Sequence, residues 1–204
     1  MTLHELASKY STDKLEHGYL PHYQQHLPAQ CRSLLEIGAA KGASALMWRD
    51  YYPECDIHLL DLFLNPDFVS VKWCREQFFV PHQGDQGSLK VLAAIPDQFE
   101  VIIDDGSHRA DHQLISFKHL FFNNLVSGGL YAIEDCHCNK LPFYWGDGFV
   151  TLFEYTALHM FKQLKEAGEL VNPYFNEGET EIFKSLIDRI EILEDEKLIL
   201  AWRK

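Results

Sequence analysis

Along this chain, short apolar runs repeatedly stop on acids or glycines and give way to segments with helical spacing. The runs are Ser33–Ile37, Asp56–Asp61, a segment beginning at Phe78-Phe79-Val80, Phe99–Ile103 and Leu130–Ile133. Such runs, bounded by turn residues, read as buried strands. Strands that alternate with helices leave few folds open, and the pattern predicts a doubly wound, mostly parallel α/β sheet. Ligands of such sheets bind beyond the carboxyl ends of the strands. The residues that end each strand should therefore meet at one edge: Glu36 to Gly42, Asp61, Gly84 to Gln86, Asp104 to His108, and Glu134 with Asp135.

The intervening helices are expected over Ala43–Tyr52, Leu89–Ile95, Ala110–Leu125, Leu152–Ala167 and Glu179–Ile187. Ser88 is placed to cap the second of these. Arg189–Leu193 and Lys197–Trp202, separated by Glu194-Asp195-Glu196, read as a terminal hairpin that brings the sheet to seven strands. The first 30 residues are polar, aromatic and histidine-rich, and are expected to form short helices covering the site. A length of 204 residues fits one such domain.

Charge narrows the partners. The formal net charge of −12 arises from 30 acids against 18 bases, without a basic stripe. Nucleic acid and anionic membrane surfaces are therefore disfavoured. MTLHELASKY lacks the basic start and apolar block of a secretory signal and no apolar run approaches a bilayer span, so a cytoplasmic location is the expectation. The five cysteines form no CxxC pair and read as free thiols. Cys136-His137-Cys138 has no second ligand pair at zinc spacing.

Gly38 and Gly42 let the backbone turn and approach a ligand closely. A dinucleotide fingerprint would need a glycine where Ala40 stands. Glu36-Ile37-Gly38-Ala39-Ala40-Lys41-Gly42 instead resembles motif I of class I S-adenosylmethionine-dependent methyltransferases. That resemblance implies Glu36, Gly38 and Gly42 around the methionine portion, Asp61 on the ribose and Asp85 at the adenine. Asp104 is assigned to the cofactor side of its strand end.

Asp105 closes the fourth strand, and Glu134 and Asp135 close the fifth. On adjacent strands these carboxylates would offer hard oxygen ligands to Mg2+ or a similar divalent ion. His108 follows across the Gly106-Ser107 turn, and an imidazole there can take a proton at neutral pH. His108 and His112 have the spacing of a zinc pair, but HRADH lacks the glutamate of the hydrolytic motif.

Three further stretches make the resemblance narrower: IIDDGSH (102–108), SFKHLF (116–121) and GGLYAIED (128–135). With STDKLEHGYLPHY and ALMWRDYYP, they resemble the metal-dependent sugar O-methyltransferases of macrolide biosynthesis, of the macrocin and mycinamicin type. The resemblance implies Mg2+ on Asp105, Glu134 and Asp135, His108 as general base, and Tyr19 and His17 closing the cofactor or substrate pocket. It also implies a hydroxylated small-molecule substrate, such as a sugar or polyol, and self-association. Phe143, Tyr144 and Trp145 could stack on a sugar ring or belong to the core. Two other classes stay open at this point: a cofactor-binding protein without catalysis, and a non-haem metal oxygenase using His108 with two carboxylates.

Overall fold

The computed structural model describes residues 1–64, 69–146 and 150–204. Its strands are β1 (Ser33–Ile37), β2 (Asp56–Asp61), β3 (Phe79–Gln83), β4 (Phe99–Asp104), β5 (Leu125–Ile133), β6 (Ile187–Leu193) and β7 (Leu198–Arg203). They form one sheet in the order β3-β2-β1-β4-β5-β7-β6. Strands β1 to β5 run parallel, and β7 is antiparallel to both β5 and β6. The doubly wound sheet with a terminal hairpin is the architecture expected from the sequence.

Side-chain alternation builds two cores. Leu34, Ile57, Val101 and Leu130 pack on one face, beneath α1 (Leu3–Tyr10), α2 (Leu20–His26), α3 (Ala43–Tyr51) and α4 (Val71–Glu76). Leu35, Leu60, Ile102 and Tyr131 pack on the other, against α5 (Leu89–Leu92), α6 (Ala110–Asn123), α7 (Ala157–Ala167) and α8 (Glu177–Leu186). Covering both faces explains why these strands are apolar throughout rather than alternating.

Some boundaries differ from the expectation, each for a local reason. β5 begins at Leu125, because Gly128-Gly129 forms an irregularity in the pairing with β4 instead of a turn before the strand. Helix α7 begins at Ala157, where Thr156 Oγ1 accepts the His159 amide; residues 153–155 form a separate 3-10 turn. Helix α4 lies in a stretch the periodicity left unassigned, and is capped by Ser70 through the Trp73 amide.

The N-terminal segment matters most for the site. Thr2 and Glu5 form a capping box on α1, which ends at Ser11 in a left-handed conformation. The chain then turns through a 3-10 helix, Asp13–Leu15, before α2. Leu6, Tyr19 and Tyr23 anchor it in the first core. Residues 11–19 are thereby laid over the carboxyl edge of the sheet.

Candidate active site

Parallel register aligns Ile37 with Leu60 and with Asp104, and Asp104 with Ile133. The residues that follow these positions therefore share one edge. A cavity of about 550 Å³ opens there, within the usual range for small-molecule sites. Its walls include Gly38, Asp61, Asp85, Asp105 and His108, together with Ser11, Thr12 and Asp13 from the N-terminal segment. Of the residues assigned to the cofactor from sequence, Gly38, Asp61 and Asp85 line the cavity, whereas Glu36, Gly42, Tyr19 and Asp104 do not.

The glycine loop is shaped by close approach. Gly38 has φ +90°, and a Cβ there would lie 2.0 Å from the Asp105 carbonyl oxygen. Asp61 fastens the same loop: its Oδ2 accepts the amides of Ala39 (2.9 Å) and Ala40 (3.1 Å), and its Oδ1 accepts that of Phe63 (3.0 Å). Oδ1, with one donor, keeps acceptor capacity for a ligand hydroxyl. Asp85 Oδ1 accepts the Gly87 amide at 2.8 Å. Gly42, with φ +81°, starts α3 and faces the Trp73 ring. Glu36 lies under the loop, accepting the Trp48 indole N–H at 3.0 Å. Burial pushes its carboxyl up to about 7, against the opposing pull of Lys14.

On the neighbouring strand ends, ligand atoms of Asp105, His108 and Asp135 lie within 4.8 Å of one another. His108 and Asp135 both have left-handed backbone, with φ of 58° and 53°. Non-glycine residues adopt that conformation at a cost, and such strain gathers at functional sites. His108 Nε2 is 3.7 Å from Asp135 Oδ2. Asp105 Oδ2 accepts from Lys14 Nζ, and Asp135 Oδ1 accepts from the Tyr19 hydroxyl. Among the described residues, the other oxygen of each carboxylate accepts no hydrogen bond. His108 Nδ1 is buried and likewise without a hydrogen-bond partner. Two hard oxygens with an imidazole beside them fit a divalent ion with its water or a substrate hydroxyl.

The two acids flanking this group are engaged elsewhere. Asp104 is buried, accepting Ser116 Oγ at 2.6 Å and Gln86 Nε2 at 2.9 Å; burial raises its pKa. It braces the strand end from below instead of reaching the cofactor cavity. Glu134 accepts Lys14 Nζ on both oxygens, at 2.8 and 2.9 Å, and the Tyr23 hydroxyl at 2.6 Å. Glu134 is thus already the counter-ion of Lys14. Burial, then Asp105, raises the Glu134 pKa, while Lys14 and Tyr23 oppose the rise.

Lys14 is the residue that sequence reasoning missed. Its side chain is wholly buried, 2.5 Å from Asp105 Oδ2 and 3.8 Å from Glu36. Burial alone would lower its pKa, but Asp105, Glu134 and Glu36 together carry it well above the ordinary lysine value. It is a fixed cation amid the acids of three strand ends. Tyr19, which the resemblance sets at the cofactor or substrate pocket, donates its hydroxyl to Asp135 Oδ1 at 2.8 Å. Trp145 donates to the Asn139 carbonyl at 2.8 Å, while Phe143 is exposed. No helix among the described residues is long and apolar enough to cross a membrane.

No protein-family model matches the chain. Curated relatives do. Demethylmacrocin O-methyltransferase of Streptomyces fradiae is 33% identical over 177 residues, covering 81% of this chain and 44% of the relative. Mycinamicin VI 2''-O-methyltransferase of Micromonospora griseorubida is 33% identical over 177 residues, covering 81% and 43%. The chain thus spans less than half the length of these relatives. The solved structure of MycE methyltransferase from the mycinamycin biosynthetic pathway, in complex with Mg and SAH, superposes with a TM-score of 0.78 at 27% identity. That match covers 100% of this chain and 55% of the other. By sequence over four-fifths of its length and by fold over all of it, the chain is similar to part of these O-methyltransferases.

Proposed function

We propose that this chain catalyses transfer of a methyl group from S-adenosylmethionine to a hydroxyl of a small molecule, of sugar or polyol type, with the aid of Mg2+ or a similar divalent ion. The observation that carries this reading is the juxtaposition of two half-sites on one sheet edge. The cavity framed by Gly38, Asp61 and Asp85 runs directly into Asp105 and His108, and Asp135 stands beside them.

In this reading Gly38 admits the methionine portion and Asp61 accepts from the ribose hydroxyls. Asp85 faces the base. Asp105 and Asp135 would hold the ion, and Glu134 would back them through Lys14. When bound, the sulfonium cofactor supplies the methyl electrophile and the ion supplies positive charge for the developing alkoxide. The chain's own residues do the rest. The hydroxyl proton passes to the His108 imidazole, whose Nε2 faces Asp135 Oδ2. The rigid strand ends orient acceptor and donor, and orientation is the larger share of the acceleration in a displacement of this kind.

The test is methyl transfer from labelled S-adenosylmethionine to a panel of deoxysugar-bearing macrolides, with Mg2+ and with EDTA. Transfer that requires Mg2+ and stops in EDTA supports the reading. Undiminished transfer in EDTA removes the ion from it, and failure to bind S-adenosylhomocysteine removes the cofactor.

A further inference from the structure

Tyr19 touches Asp135 twice. Its hydroxyl donates to Asp135 Oδ1 at 2.8 Å and accepts the Asp135 backbone N–H at 3.2 Å. The tyrosine is fully buried, its ring set edge-on to His17 at 5.5 Å between centroids. A ring so enclosed can offer its oxygen in one direction only. The hydroxyl also pins the main chain of Asp135, whose backbone is left-handed (φ 53°, ψ 31°), a conformation open to Asp but costly to most non-glycine residues. One hydroxyl thus fixes both the main chain and the carboxylate rotamer of this residue. With Oδ1 taken, Oδ2 is the oxygen left toward His108.

We infer that Tyr19 is a positioning residue for the metal centre: it acts through Asp135, presenting Oδ2 to the ion and holding it in register with His108. The inference rests on the metal-dependent reading above. It assigns the N-terminal segment a task beyond covering the cofactor, because partners of this kind orient ligating carboxylates and their loss costs roughly 10–100-fold in metal affinity. Lys14, on the same segment, makes the matching contact to Asp105.

The test uses the full chain, with Mn2+ as the probe and electron paramagnetic resonance as the readout of free ion. Tyr19→Phe, which removes one oxygen, is expected to bind Mn2+ about 10–100-fold more weakly. Its affinity for S-adenosylhomocysteine should stay within about threefold of wild type, because Tyr19 does not line the cavity. Asp135→Asn is expected to lose Mn2+ more severely. Wild-type Mn2+ affinity in Tyr19→Phe, alongside its loss in Asp135→Asn, would overturn the inference while leaving the metal reading intact. Wild-type protein that takes up no Mn2+ would overturn both. Should Tyr19→Phe fail to fold, 3-fluorotyrosine placed at position 19 replaces it. Its fluorine resonance is expected to move on adding Mg2+ to the otherwise wild-type chain but not in the Asp135→Asn background. A resonance indifferent to Mg2+ in the wild type would overturn the inference.

Discussion

Lys14 Nζ bridges both carboxylate oxygens of Glu134, at 2.8 and 2.9 Å, in a fully buried position. A contact spanning 120 residues of sequence ties the N-terminal segment to the end of β5. The same ammonium reaches Asp105 and lies near Glu36, so one cation answers acids from three strands. Removing it should leave buried charge without a partner.

Lys14→Met is therefore expected to destabilise the fold by about 3–5 kcal/mol, the usual consequence of breaking a buried pair from one side. Urea unfolding measures it. A loss under about 1 kcal/mol, the size of an exposed pair, would show that the acids find another partner.

Gly38→Ala tests the contact between the two half-sites. The added methyl would stand 2.0 Å from the Asp105 carbonyl oxygen, at a backbone angle of +90°. The glycine loop and the Asp105 turn cannot both keep their places. Expected are a stability loss of at least about 2 kcal/mol and at least tenfold weaker binding, roughly 1.4 kcal/mol, of S-adenosylhomocysteine. Unchanged calorimetric binding would mean the loop does not approach the ligand.

His108→Asn keeps a side chain that tolerates the left-handed backbone but cannot act as a base. Turnover should fall by about 10²–10⁴-fold, with S-adenosylhomocysteine affinity changed by less than about threefold. Steady-state kinetics and calorimetry on the same protein separate the two. A near-wild-type rate would assign proton removal elsewhere.

A pH effect on stability should come from a pair remote from the chemistry. His58 Nδ1 and His82 Nε2 are 2.9 Å apart on neighbouring strands, and burial lowers both pKa values; Asp97 opposes the shift in each. Below the ordinary histidine value of about 6.5, the unfolded chain binds more protons here than the folded one. Stability from this pair is thus present above pH ~6.5 and lost as pH falls through the lower folded values. His82→Gln should flatten the decline in stability as pH falls below about 6.5. A slope identical to wild type would contradict the assignment.

How much of this was legible in the sequence follows from where each residue sits. Gly38, Asp61, Asp85, Asp105, His108 and Asp135 each stand at or just beyond a strand end, and parallel topology alone brings strand ends together. Neighbouring acids on one strand face opposite ways, so only one of Asp104 and Asp105 could reach the cavity. Periodicity could not show that Asp104 turns inward to Ser116 and Gln86. Lys14 carried no signal of its own, because lysines are rarely fully buried and its partners lie 91 and 120 residues away. Tyr19 was singled out, but its partner was hidden for the same reason. Gly128-Gly129 misled the reading of β5, since a glycine pair signals a turn far more often than an irregular strand.

The most direct measurement is a crystal structure of the protein with S-adenosylhomocysteine and Mn2+, using anomalous scattering to locate the ion. Expected is a peak within ligand distance of Asp105 and Asp135 and beside His108, with the ribose on Asp61 and the sulfur facing that peak. Nucleoside density elsewhere, or an ion bound away from these carboxylates, would contradict it.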